Sequence, residues 1–287
     1  MPTSIEGVKP FKTYAEQLQI LKDRHLIIPD ENKALEQLRE LNYYRFSAYS
    51  LTLSENDEFY PNVTFDDILE LYEFDCDLRE LIMKYTSSVE VSLRAYIAYY
   101  HAKVYGPLGY LNSMNFESEW SHADFLAHLS KLIYKSKDVF IQHHRQDKGG
   151  IYPLWVAIEE LTFGSLSLLY KNLKKTDRRK IAQDYYGMRN EKYIENWMQC
   201  AVVARNIAAH SGRFYNRINL RPAVLLGNKT SKNICNNKPF AYLYAISKLL
   251  PKDKNYGFTK DLKRLFKKHP FAEPRYLGFP NAWEKYL

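Results

Sequence analysis

The sequence predicts an all-α fold, and three observations carry that reading. Apolar residues recur at spacings of three and four almost everywhere, alternating strand-like runs are scarce, and capping and turn residues punctuate the periodic stretches. Residues 11–25 and 31–41 give two short helices, with Pro29-Asp30 as the break and start between them. A tyrosine-rich stretch, Asn42-Tyr43-Tyr44-Arg45-Phe46-Ser47-Ala48-Tyr49, leads into a polar loop over residues 54–62. Thr64, with Asp67 three residues on, resembles a capping box and opens the longest periodic segment. Its stripe, which includes Ile68, Leu71, Tyr72, Leu78, Ile82, Tyr85, Val89, Leu93, Tyr96 and Tyr100, predicts one bent helix or two helices broken near Ser87-Ser88. Residues 106–120 read as a loop, and 121–143 as a helix before the Gly149-Gly150 turn. Pro153 suits the first turn of a helix running through Trp155, Ile158, Leu161, Gly164 and Leu168. A helix over 191–210 stops at Ser211-Gly212, where glycine fits a C-terminal cap. Beyond it lie a basic, Asn-rich segment to Pro239, helices over 240–250 and 259–269, and a short aromatic tail. These signals divide the chain into an N-terminal helical segment, 1–62, a helical core, 63–225, and a basic C-terminal helical extension, 226–287.

With 287 residues, 46% of them hydrophobic and 15% aromatic, the chain has ample material for a packed core. No stretch approaches the ~18–20 apolar residues that a membrane span needs, and the N-terminus lacks a basic segment followed by an apolar one. The three cysteines, Cys76, Cys200 and Cys235, are far apart and form no Cys-x-x-Cys pair, so they read as reduced thiols of a cytoplasmic protein. Net charge is +8 and unevenly spread: residues 201–287 hold 17 Lys+Arg against 4 Asp+Glu, a balance of +13, which leaves −5 for residues 1–200. That asymmetry fits a polyanion such as RNA, or a solvated basic surface.

The chemistry-bearing candidate is the run Arg205-Asn206-Ile207-Ala208-Ala209-His210. Arg205 falls on the apolar stripe of Ile194, Met198, Ala201 and Ala208, where a charged group calls for a partner. Asn206 and His210 share a face turned roughly 100–140° from Arg205. A guanidinium, an amide and an imidazole thus meet near one helix end. This set suits RNA cleavage without metal or cofactor. Imidazole moves protons in both directions near neutrality, arginine matches phosphate oxygens with its planar fork, and asparagine orients either partner. The same spacing also fits a capping histidine beside an arginine in a buried ion pair.

Several segments together resemble the bacterial Abi, or abortive-infection, family (AbiD/AbiF-like). They are Asn42-Tyr43-Tyr44-Arg45, Tyr72-Glu73-Phe74-Asp75 to Leu78-Arg79, Glu90 with Arg94, Pro153-Leu154-Trp155 to Glu159 with Phe163-Gly164, and Arg205-Asn206 with His210. Gly278-Phe279-Pro280 and Trp283 fit as well. That family is similar to the HEPN superfamily, in which Arg-x-x-x-x-His marks metal-independent endoribonucleases. The resemblance implies a HEPN-like helical bundle with additional N- and C-terminal helices, and Arg205, Asn206 and His210 as catalytic residues of an RNase toxin in antiviral defence. HEPN sites are composite, and one motif per chain implies a homodimer. A small structured antitoxin RNA is a further partner that the resemblance suggests. Two other readings stay open: an RNA-binding protein that does not cut, and a toxin acting through a host protein.

Around the motif, Glu90 and Arg94 form an intrahelical ion pair or take a direct part in the site, and Glu159 or Glu160 is placed to pair with Arg205. Arg213, Tyr215, Arg217 and Arg221, just after the motif, are candidates for RNA backbone and base contacts, whereas most tyrosines at helical spacing belong to the core. His143-His144 reads as a solvated pair.

Overall fold

A computed structural model of the chain describes residues 10–227 and 232–287. Two short helices, α1 (Tyr14–Asp23) and α2 (Glu31–Glu40), are capped by Thr13 and Asp30 and bury Leu18, Leu21, Ala34 and Leu38. The tyrosine-rich stretch forms a helix of its own, α3 (Tyr43–Ser50), because Asn42 accepts a hydrogen bond from the Tyr44 N–H and so starts a new first turn. The polar loop after it holds a minimal hairpin, β1 (Ser54–Glu55) and β2 (Glu58–Phe59), paired antiparallel. Its turn residues Asn56 and Asp57 both take positive φ, at 50° and 67°, as a two-residue hairpin turn requires.

The longest segment is one uninterrupted helix, α4 (Phe65–Tyr105), 41 residues and roughly 60 Å long. The Thr64–Asp67 capping box is present in both directions: the Asp67 N–H donates to Thr64 Oγ1 at 3.2 Å and the Thr64 N–H to Asp67 Oδ2 at 2.7 Å. No break occurs at Ser87-Ser88. The Thr86 hydroxyl donates to the Ile82 carbonyl and Ser88 to Lys84, one turn back, so the hydroxyls are satisfied within the helix and do not compete with it.

The predicted helix over 121–143 is two, α5 (Glu119–Lys135) and α6 (Val139–Asp147), because Ser136 takes the Asp138 N–H and turns the chain. The one after Pro153 also splits, into α7 (Leu154–Ala157) and α8 (Phe163–Asn172), since Thr162 caps the second piece by accepting the Ser165 N–H. An unforeseen helix follows, α9 (Lys175–Tyr186), which ends on left-handed Gly187. Then come α10 (Glu191–Ala209), α11 (Pro239–Leu249) and α12 (Lys252–Lys268).

The buried apolar side chains form one cluster drawn from every helix but α6, whose buried Ile141 lies outside it. Within it α4 and α10 pack on each other, and α11, buried on almost every side, packs against α10. Helix α12 lies along α4, burying Phe258, Leu262 and Leu265. Part of the C-terminal positive charge is used in that seam. Lys268 and His269 reach Asp77 at 2.5 and 2.7 Å, and Lys84 and the Tyr85 hydroxyl reach Asp261 at 2.7 and 2.9 Å. Among the described residues, no helix is long and apolar enough to cross a membrane.

Candidate active site at the end of α10

Helix α10 is held by a buried stripe of Ile194, Trp197, Met198, Ala201, Ala204 and Ala208, whose three alanines allow neighbouring helices a close approach. It stops in a Schellman turn: the Gly212 N–H donates to the Ile207 carbonyl at 2.7 Å and the Ser211 N–H to Ala208 at 3.1 Å. Ser211, not the glycine, takes the left-handed position, at φ 53°. Gly212 is needed for proximity instead. A Cβ there would sit 2.9 Å from Ile207 Cγ2 and 3.0 Å from the Ile207 carbonyl oxygen.

This turn leaves Arg205 partly buried and Asn206 and His210 exposed at one corner. Arg205 Nη1 donates to Asn206 Oδ1 at 3.2 Å, which occupies the amide oxygen and leaves Nδ2 as its donor. No carboxylate pairs with Arg205 among the described residues, so the expected Glu159 or Glu160 contact is not made. Glu159 lies 3.9 Å from Arg94, and Glu160 accepts from the Ser136 hydroxyl. Arg94 has the acidic company instead. Its Nη2 meets Glu90 at 2.6 Å and the Leu161 carbonyl at 2.7 Å, so the Glu90–Arg94 intrahelical pair clamps α4 to the residues that lead into α8. Gly164, in the first turn of α8, faces Val202 of α10, one turn ahead of the motif.

Behind the corner stands Asp75 of α4, fully buried. It accepts hydrogen bonds from the Phe214 and Tyr215 N–H groups, both at 2.9 Å, from the Tyr49 hydroxyl at 2.9 Å and from Arg79 at 3.1 Å. Burial raises its pKa above the usual carboxylate value, and the donors around it pull the other way. Burial, with Asp75 alongside, raises the Tyr49 hydroxyl as well, so it stays protonated and donates. From α3, Arg45 Nη1 donates to the Ser211 carbonyl at 2.7 Å. The residues just past the motif are thereby fixed from two sides. Sequence reading passed over this role for Asp75, although a carboxylate between Leu71 and Leu78 on the buried face of α4 is a visible signal of a polar anchor.

The candidate RNA contacts after the motif separate. Tyr215 is buried against Phe74 and Tyr276, so its ring has no face to offer a base, and that expectation is corrected. Arg213 is partly buried, its pKa lowered by burial, and it donates to the Tyr215 carbonyl at 2.8 Å. Arg217 donates to the Arg213 carbonyl at 3.1 Å, while Arg221 is exposed. His143 and His144 bond to Asp147 and the Ile151 carbonyl, and no group of three or more His, Cys, Asp or Glu could hold a metal ion among the described residues.

The corner therefore offers a guanidinium without a carboxylate, an amide aligned by it and an exposed imidazole, all on a rigid backing. No curated protein and no solved structure matches the chain. A family model described as Abi-like protein matches residues 36–216, from within α2 to just past the Schellman turn, and this span holds Arg45, Asp75, Glu90, Arg94, Arg205, Asn206 and His210. The match covers more than half of the chain, which belongs to the Abi-like family, the group associated with abortive infection in defence against phage.

Proposed function

We propose that this protein is a metal-independent endoribonuclease of the HEPN type, acting as the toxin of an abortive-infection system. The observation that carries the reading is that Arg205 pairs, among the described residues, with Asn206 alone, at a helix end where His210 is exposed and the backbone is pinned by Asp75 and Arg45. Arg205 is then available for phosphate oxygens, and Asn206 Nδ2 for a ribose or phosphate oxygen.

In the reaction, the 2′-hydroxyl loses its proton to an imidazole as its oxygen attacks the neighbouring phosphorus. The bond from phosphorus to the 5′-oxygen breaks, and that oxygen takes up a proton. The products are a 2′,3′-cyclic phosphate and a 5′-hydroxyl. One chain supplies one imidazole at the corner. A homodimer bringing two α10 ends together supplies both acid and base, and the partly exposed Val202 and Val203 beside Asn206 give a short surface for that approach.

The test is incubation of wild type, His210→Ala and Arg205→Ala with end-labelled RNA in EDTA, reading cleavage and end groups. Cleavage by wild type that leaves cyclic phosphate ends, and a loss of roughly 10²–10⁴-fold in each variant, is expected. RNA left intact by wild type, or cut equally by His210→Ala, overturns the reading. The excess positive charge after residue 200 supports a second one, RNA binding without cleavage, for which intact RNA and retained binding are the signature.

A further inference from the structure

A large groove lies outside the corner, and its wall residue Tyr44 is next in sequence to Arg45, which bonds the motif turn. This groove of about 1120 Å³ runs between α1, the start of α3 and the β1–β2 hairpin. Two tyrosine rings on its walls face solvent, Tyr44 at 66% exposure and Tyr14 at 43%. Its walls carry Lys12, Arg24 and Arg39 against Glu40 and Asp57. Lys12 and Arg24 are paired, with Glu16 at 3.5 Å and Asp57 at 3.3 Å. Arg39 makes no ion pair among the described residues. Immediately after Tyr44 comes Arg45, whose Nη1 is on the Ser211 carbonyl beside His210 and whose Nε and Nη2 take no protein acceptor among the described residues.

Consecutive Cα atoms are ~3.8 Å apart, so the groove starts one residue from the arginine that touches the motif turn. Exposed aromatic faces with arginines free of carboxylates nearby are what an unpaired nucleic-acid strand needs: stacking for bases, charge for phosphates. A duplex keeps its bases stacked inside and gains nothing from Tyr44 or Tyr14. We propose that this groove binds single-stranded RNA leading away from the phosphate at the motif corner, with a base on Tyr44 and the backbone on Arg39 and Arg45. The inference rests on the nuclease reading only for which phosphate is cut; binding in the groove is independent of it.

The experiment measures binding of a fluorescent, unstructured oligouridylate by full-length His210→Ala protein, alone and with Tyr44→Ala, Tyr44→Phe or Arg39→Ala added. Tyr44→Ala is expected to raise Kd roughly 10-fold and Tyr44→Phe to leave it within about twofold, because the ring face is kept. Arg39→Ala is expected to reduce the slope of log Kd against log salt by about 0.7. A hairpin duplex of the same length should bind more weakly and show no response to Tyr44→Ala. Because Tyr44 is exposed, its truncation leaves folding intact, checked by circular dichroism.

Binding by the Tyr44→Ala and Arg39→Ala proteins that matches the parent, or no binding of the oligouridylate by the parent, overturns the proposal. In the wild-type background, Tyr44→Ala should raise KM with kcat retained. A wild-type protein that leaves RNA intact but binds it through Tyr44 would remove the nuclease reading and keep the groove; cleavage and binding that ignore Tyr44 and Arg39 would do the reverse.

Discussion

Arg79 and Arg205 lie in packed helices of the same bundle and are treated in opposite ways. Arg79 is buried beside Asp75, and that carboxylate is also filled by two backbone N–H groups and the Tyr49 hydroxyl. Arg205 sits at the end of α10 with an asparagine for company and no carboxylate among the described residues. A buried charge is tolerated only when its partners are complete, so the Asp75 cluster is built for holding. An arginine whose partner is neutral keeps its full charge for a ligand. The contrast separates scaffold from site within a few residues of chain, since the Asp75 cluster holds Phe214 and Tyr215 while the motif ends at His210.

The largest effect is expected on the scaffold side. Asp75→Ala strands two backbone N–H groups and leaves Arg79 without its carboxylate, a change that should cost about 3–5 kcal/mol of unfolding free energy by urea titration. Asp75→Asn, which keeps an acceptor of the same shape, should cost less. A loss below about 1 kcal/mol for the alanine variant would mean that the turn after the motif is held by other contacts, and the distinction between holding and acting would collapse.

How much of this was legible in the sequence follows from how far apart the interacting residues are. The Thr64–Asp67 box and the relation of Arg205 to His210 are local, so periodicity and spacing reveal them. The Asp75 anchor joins residues 139 and 140 positions apart, and no local pattern announces its partners. Helix α9 went unread because its buried face is narrow, Asp177, Ile181 and Ala182, among charged neighbours. Tyr215 was misplaced for a related reason: an aromatic between arginines looks like a base platform, and only tertiary packing shows that Phe74 and Tyr276 cover it. The positive C-terminal third fits, by sequence, a surface for a polyanion or a solvated basic one, whereas Lys268 of α12 answers an acid on α4 and Arg264 an acid on its own helix.

That seam supplies a smaller test of the same contrast, one that pH can read. Burial pushes Asp77 up, but hydrogen bonds from His269 and Lys268 outweigh it and hold the carboxyl below its ordinary range. Asp261 behaves alike under Lys84 and Tyr85. Both folded-state values are depressed, so their contribution is present above the unfolded value of about 3.9 and is lost as pH falls through the folded values. Wild type should therefore be more stable than an Asp77→Asn, Asp261→Asn double variant at about pH 6, and the gap in urea midpoint should shrink towards about pH 3. A gap that stays constant with pH would assign the effect to packing.

The smallest effect is expected where function is proposed. Arg205 lies near the C-terminal end of α10, where a positive side chain gains a few tenths of a kcal/mol from the helix dipole, and it has no ion pair among the described residues to lose. Arg205→Ala should accordingly change unfolding free energy by no more than about 0.5 kcal/mol, measured in the same titration as Asp75→Ala. The two outcomes lead to different molecules. A near-zero change, set against loss of RNA cleavage, means that the guanidinium is held ready for a ligand and adds little to the fold. A loss above about 1.5 kcal/mol would make Arg205 a structural member of the α10 packing surface like Arg79. His210 would then stand without its phosphate partner, and the corner would fit the reading of an RNA-binding protein that does not cut.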